Sequence, residues 1–395
     1  MEKRKERRDE SVLCINCITG KTEAISFRDH EVKHIAESEG KENNLLFSGP
    51  GLIDLQINGI NGIDFNDPAL TGEEIINATH YLLSKGITTF LPTVITNSDE
   101  NILKIVRTIY NACQSDRLVS DCIWGIHLEG PFISPAPGAR GAHDESYIKP
   151  PDWDLFNRIQ EAAGGKIKLI TLAPEWEGSD AFIAKCRSRG VLVSIGHSMA
   201  NTEQIASAVK AGAFLSTHLG NAVPLLLPRH PNILWDQLAA GELYACIITD
   251  GVHIPDSFIK VVMKVKGKAT IITSDATRFT GMAPGEYRSH IGDTVILDKD
   301  KRISLKSTPG LLAGSAKSLL ENVECLVDHQ LSTIGGAWQM ASVNVSDMLT
   351  ANDEGFYHRD DRVIFQLIEK RIQIMRVIKS GKVVFEKGSI FKSAY

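Results

Sequence analysis

The stretch Trp124-Gly-Ile-His-Leu-Glu-Gly-Pro-Phe132 decides how the rest of the chain is read. It has the form of a short buried strand that runs out into a turn at Gly130-Pro131. Side chains alternate along a strand, so Ile126 and Leu128 share one face while His127 and Glu129 share the other. A carboxylate at the mouth of an apolar strand is costly unless something pairs with it. Two later stretches offer partners. Val191-Leu-Val-Ser-Ile-Gly-His197 and Ala213-Phe-Leu-Ser-Thr-His218 are also apolar strands, and each ends in histidine. Three strand ends delivering Glu129, His197 and His218 describe a metal site of catalytic type, with three protein ligands and a fourth position for water.

Outward from this stretch, strand and helix alternate. Strands are expected at Leu52–Ile57, Thr88–Pro92, Cys122–Leu128, Lys168–Leu172, Val191–Ile195, Ala213–Thr217, Tyr244–Thr249 and Ala269–Thr273. Helical periodicity lies between them, at Thr71–Ser84, Asp99–Cys113, Asp152–Ala163, Ser179–Ser188, Thr202–Ala211, Ile233–Ala240 and Asp256–Lys264. Thr71 before Glu73-Glu74 and Ser98 before Asp99-Glu100 are suitable caps. Serial strand–helix units predict an α/β chain of the TIM type, a (β/α)8 barrel. The first strand is not followed by the glycine fingerprint of a doubly wound sheet.

The ends of the chain read differently. Ser11 to Ile18, Thr22 to Phe27 and Val32 to Ile35 are strand-like, as are Arg371–Ile378 and Gly381–Phe385. They predict a small β-sandwich domain built from both termini, residues 1–49 and 350–395, around a barrel over 50–349. A polar hairpin is expected over 286–309, and a last helix over Ala316 to His329.

Composition excludes several classes. Among 395 residues, 43% are hydrophobic and 23% charged, as in an ordinary soluble domain. The net charge of −5 gives no reason to expect nucleic acid or a membrane as partner. No apolar run is long enough to span a bilayer. Seven scattered cysteines suit reduced thiols in the cytoplasm better than a disulfide framework. The Cys14–Cys17 pair has no second pair to complete a zinc site and reads as strand packing.

Functional residues of such barrels cluster at the C-terminal ends of the strands. Those ends carry Gln56 and Asn58, Glu129, His197, His218, Asp250 with His253, and Asp275. Each alone has an ordinary explanation, a hydrogen-bonded histidine or a helix cap. Four residues of ligand or base type in one barrel mouth are a demanding coincidence.

The chain also resembles a known family. Asp54-Leu-Gln-Ile-Asn-Gly59, His127-Leu-Glu-Gly-Pro131, Gly141-Ala-His143, Gly196-His-Ser198, Thr217-His-Leu-Gly-Asn-Ala222, Asp250-Gly-Val-His253, Thr273-Ser-Asp-Ala276 and Leu312-Ala-Gly-Ser315 look like the motifs of the N-acetylglucosamine-6-phosphate deacetylases, within the amidohydrolase superfamily. They fall in the family's order from about residue 50 to 320. The resemblance implies that Glu129, His197 and His218 hold one divalent metal, zinc by ligand type, with iron or another divalent metal as the alternative. Many amidohydrolases carry His-x-His on strand one; Gln56-Ile-Asn58 stands there instead, which implies a mononuclear site.

By the same resemblance, Asp275 is the general acid/base. It takes a proton from the attacking water and gives it to the leaving amine. Ala142 and His143 would meet the substrate, His143 near its carbonyl oxygen. Asn221, Ala222 and His253 would contact sugar or phosphate, and Leu312, Ala313 and Gly314 would offer backbone contacts. Arg229 would reach the phosphate in the neighbouring site of a homodimer; a guanidinium suits phosphate through paired charged hydrogen bonds. The expected reaction is removal of the N-acetyl group from N-acetylglucosamine-6-phosphate. Three alternatives stay open: the galacto epimer or another N-acyl amino sugar, a cyclic-amide hydrolase, and a degenerate barrel that only binds sugar phosphates.

Overall fold

The apolar runs of the middle of the chain pair as eight parallel strands in chain order. In this computed structural model, residues 9–38, 46–288, 294–306, 312, 314–356 and 360–388 are described. Barrel strands one to eight are Leu52–Ile57, Ile87–Ile95, Ile126–Glu129, Ile167–Leu172, Leu192–Ile195, Leu215–Ser216, Tyr244–Ile247 and Thr270–Ile272. Strands one and eight meet without a regular ladder. A single bridge, Ile57 to Ala276, joins them, along with hydrogen bonds from Asp275 N to Gln56 O (3.0 Å) and from Asn58 N to Ala276 O (2.7 Å).

The barrel interior is layered, because inward-facing side chains recur every second residue. One layer is apolar: Ile53, Leu55, Leu91, Leu169, Leu192, Leu215, Cys246 and Ile271. Two residues further along the strands stand Thr93, Thr171, Ser194 and Thr217, with His127 among them, all buried. His127 Nε2 lies 2.7 Å from Thr171 Oγ1, which lies 2.7 Å from Thr217 Oγ1; Ser194 Oγ completes the chain at 2.5 Å. The next layer is the candidate site.

Two differences from expectation concern helices. The third strand starts later than expected, because Arg117–Cys122 is helical. The Asp116 side chain caps it by accepting from Val119 N, and Arg117 pairs with Asp121 one turn on. After the expected last helix, seen at Leu319–Asp328, come two more, Ile334–Met340 and Val343–Asn352. Val345, Met348 and Leu349 of the last one close the apolar layer of the barrel. Asp353 fastens this end by accepting from Trp124 Nε1 and Lys168 Nζ.

The terminal strands do assemble from both ends of the chain. Asp9–Asn16, Thr22–Arg28, Glu31–Glu37 and Leu46–Pro50 join Arg362–Ile368, Arg371–Lys379 and Lys382–Glu386. They form one sheet that closes on itself, rather than two stacked layers. Its core includes Cys14, Ile25, Phe27, Ile364 and Ile378. The insertion after barrel strand eight has three described antiparallel strands, Gly285–Arg288, Thr294–Leu297 and Ile303–Leu305, one more than a hairpin. Among the described residues, no helix is long and apolar enough to cross a membrane.

Candidate metal centre and active site

Strands three, five and six deliver their last polar side chains to one point. Glu129 Oε1, His197 Nε2 and His218 Nε2 lie 3.2 Å from one another, pair by pair. A tetrahedral zinc with nitrogen and oxygen ligands at about 2.0–2.1 Å separates those ligands by about 3.3 Å. The spacing therefore fits one ion against the triangle. His197 Nδ1 is 3.0 Å from the Ala139 carbonyl, which fixes that nitrogen as the donor and frees Nε2 as a ligand. His218 Nδ1 is buried without a hydrogen-bond partner among the described residues.

The backbone at these positions is strained. His197, His218 and Asp275 have φ of +50°, +29° and +49°, in the left-handed region that non-glycine residues rarely occupy. Such conformations persist where the surroundings over-determine them, and they gather at functional sites. Here they turn each chain sharply as it leaves its strand, so that the side chain looks into the barrel mouth.

His143 stands against this triangle. Its ring meets that of His197 edge-on at 4.3 Å, and its Nδ1 lies 2.8 Å from Thr96 Oγ1. Glu129, His143 and His197 also lie close enough together to share an ion, with ligand atoms within 4.8 Å. The triangle containing His218 is the tighter of the two. Burial pushes the His143 imidazole down to about 3 and His127 down to about 4, so both rings are neutral at pH 7. Burial works against the Glu129 carboxylate, yet the hydrogen bonds and charges of His197 and His218 outweigh it and hold its pKa well below the usual carboxylate range.

Asp275 follows strand eight. Its Oδ1 accepts from Asn58 Nδ2 at 2.7 Å and from Gln56 Nε2 at 3.1 Å. The Gln56 amide also donates to Glu129 Oε1 at 2.9 Å. The two amides that stand in place of His-x-His thus hold the site's two carboxylates. Among the described residues, no hydrogen bond to Asp275 Oδ2 is seen. Burial, and then the charge of Glu129, push the Asp275 carboxyl above its ordinary range. That favours a group which accepts a proton and releases it again.

Of the remaining expected residues, His253 and Asn221 lie beside this centre. His253 Nδ1 pairs with Asp250 Oδ2 at 2.7 Å, while the Val252 and His253 amides donate to Asp250 Oδ1. Burial raises the Asp250 pKa, but the bond and charge of His253 bring it down to about 2. Asn221 is tied to the His218 carbonyl, and Ala222 has φ +51°. Ala142 is exposed beside buried His143. Leu312 bridges to Ser304, and Gly314 has φ +82°, where an added Cβ would lie 2.5 Å from Thr277. Ala313 lies outside the described residues. Arg229 is exposed on the loop after strand six, and nothing brings it to this chain's own centre.

Sequence reading did not assign roles to Thr96, Ala139, Asp250, Gln56 or Asn58. For the last two, a signal existed: amides at the strand-one end where metal-binding histidines are common.

No family model matches the chain. Among curated proteins, it is 32% identical to an N-acetylglucosamine-6-phosphate deacetylase of Caenorhabditis elegans, over 90% of this chain and 86% of that one. It is 28% identical to an N-acetylglucosamine-6-phosphate deacetylase of Bacillus subtilis, over 93% and 91%. Among solved structures, it is similar to an N-acetylglucosamine-6-phosphate deacetylase of Thermotoga maritima, with a TM-score of 0.79 and 27% identity over 96% of this chain and 100% of that one.

Proposed function

The chain belongs to the N-acetylglucosamine-6-phosphate deacetylase family, and on that premise we propose how its own residues remove the N-acetyl group of an amino-sugar 6-phosphate. The observation that carries the reading is the Glu129–His197–His218 triangle with Asp275 fixed beside it by Gln56 and Asn58. Glu129, His197 and His218 would hold one divalent ion, zinc by ligand type, with iron or another metal as the alternative. Such an ion supplies Lewis acidity and lowers the pKa of water.

The residues do the rest. Asp275 Oδ2 takes a proton from water as the water oxygen bonds to the acetamide carbon. The same oxygen then delivers the proton to the amide nitrogen as the carbon–nitrogen bond breaks. Acetate and the free amine leave. His143, neutral and anchored by Thr96, points a ring edge to the substrate carbonyl. Asn221, Ala222 and His253 contact sugar or phosphate, His253 oriented by Asp250, and Leu312 and Gly314 line the sugar with backbone. Burial of the centre excludes bulk water, which strengthens each of these interactions.

Arg229 would serve the phosphate of a second subunit. Its loop supports this: Leu225 and Leu226 are 81% and 90% exposed, and Trp235, on the helix that follows, is half-exposed. Apolar side chains of this kind are commonly covered by a partner. A homodimer with shared sites accounts for both features. The seven cysteines form no disulfide among the described residues and six of them are buried, which suits the reducing cytoplasm.

The test is acetate release from N-acetylglucosamine-6-phosphate, its galacto epimer and the unphosphorylated sugar by zinc-loaded protein. Release from a phosphorylated sugar is the expected result. Release from none by a protein that still holds one metal would overturn the substrate assignment.

A further inference from the structure

Asp54 is fully buried on barrel strand one, and the reaction outlined above does not use it. Its partners all belong to the seam where strands one and eight meet. Oδ2 accepts from Ser274 Oγ at 2.5 Å. Oδ1 accepts from Ser274 N at 3.1 Å, from Thr273 Oγ1 at 3.2 Å and, more weakly, from Gln56 N at 3.4 Å. Ser274 Oγ in turn reaches Gln56 O at 3.2 Å and accepts from Ala276 N at 3.1 Å.

A buried carboxylate whose partners are hydroxyls and amides is expensive to keep. Ordinary sheet closure would not need one, since a backbone ladder does that task. This seam has no ladder beyond the Ile57–Ala276 bridge. The residue placed in the gap is Asp275, at φ +49°. Asp54 grips the residue just before it through both N–H and O–H, and sits two residues from Gln56, whose side chain holds both site carboxylates.

We propose that Asp54 is a positioning residue for the deacetylation: by clamping Thr273 and Ser274 to strand one, it sets the orientation of Asp275 relative to the Glu129–His197–His218 triangle. The inference rests on the functional reading above. Asp54 touches neither substrate nor metal ligands; it acts through the turn.

The experiment compares wild type with Asp54→Asn, Asp54→Ala and Ser274→Ala, all zinc-loaded. For each protein, metal content, melting temperature, kcat, KM and the kcat–pH profile are measured. Asp54→Asn keeps the size and one acceptor oxygen; Ala keeps neither. The expected result is one zinc in every variant, because the three ligands stand on other strands. KM should stay within about twofold, while kcat falls by about 10- to 100-fold, the usual range for groups that orient a working residue. Ala should lose more than Asn, and the acidic limb of the kcat–pH profile should move. Ser274→Ala carries the test if neither Asp54 variant folds, and should show a smaller loss of the same kind.

Unchanged kcat and pH profile in a folded variant would overturn the proposal. So would a loss of zinc in step with activity, which is the mark of a structural role. If wild type releases no acetate, the functional reading fails instead. The positioning claim then stands or falls on a crystal structure of Asp54→Asn, in which a wild-type Asp275 conformation would overturn it.

Discussion

Asp275 combines a left-handed backbone, partial burial, and two amide donors on one carboxylate oxygen. Asp275→Asn preserves an acceptor for Gln56 and Asn58 but removes the oxygen proposed to carry the proton. It should keep one metal and lose kcat by about 10²- to 10⁴-fold, the usual contribution of general acid–base catalysis, read as acetate release beside metal analysis. Asp54 yields a second prediction, on stability. Burial raises its pKa from 3.8 to about 6. Between these values the folded state binds the proton more tightly than the unfolded chain, so the associated stability is present below about pH 4 and lost as pH rises through about 6. The difference is on the order of 3 kcal/mol. Asp54→Asn should therefore gain stability relative to wild type between pH 4 and pH 8, as seen in denaturant midpoints at both pH values. A constant difference would mean that the charge is not destabilising. Glu129, His197, His218 and Asp275 were legible because residue type and position at a strand end suffice to mark them. Asp54 and Gln56 are ordinary residue types, whose roles arise only from which neighbours the closing barrel brings to them.

At the scale of elements, the site depends on how closely strands can approach one another. Gly196 follows strand five, immediately before His197. An added Cβ there would lie 2.6 Å from Thr217 Cβ and 2.8 Å from Thr171 Cγ2. Real Cβ atoms do not come so close to carbon, and neighbouring strands yield poorly in a packed barrel. Gly196→Ala should push His197 away from Glu129 and His218, lowering bound zinc and kcat in parallel, with both quantities measured on the same sample. Retention of full zinc would show that the strand end has slack. Periodicity revealed most of these elements, since a barrel strand is a short apolar run between helices with marked caps, such as the Thr71–Glu74 capping box. It failed at Arg117–Cys122, where Leu118, Val119, Cys122 and Ile123 suit a strand as well as a helix. It failed again at Ile334–Met340 and Val343–Asn352, where Gly335-Gly336 and a run of Asn, Ser and Thr weaken the local preference for helix. Those two helices form because the barrel offers apolar surface to cover.

For the whole molecule, the terminal sheet, the barrel and the loop after strand six have separate physical tasks. The terminal sheet has its own apolar core, and the barrel aligns the chemistry. The loop after strand six carries Leu225, Leu226 and Arg229 outward. It leans on the loop that carries His143: a Cβ at Gly138 would lie 2.9 Å from both Leu225 N and Val223 O. A partner covering Leu225 and Leu226 would therefore press on the substrate loop as well as placing Arg229. Replacing both leucines with aspartate should convert a dimer to monomers in light scattering. It should also raise KM for the phosphorylated sugar, while zinc content stays at one per chain. Arg229→Ala should raise the same KM by about 10- to 100-fold, the range of a lost charge-assisted hydrogen bond, and leave the dimer intact. A monomeric double variant with an unchanged KM would show that each site is complete within one chain and that Arg229 serves some other purpose.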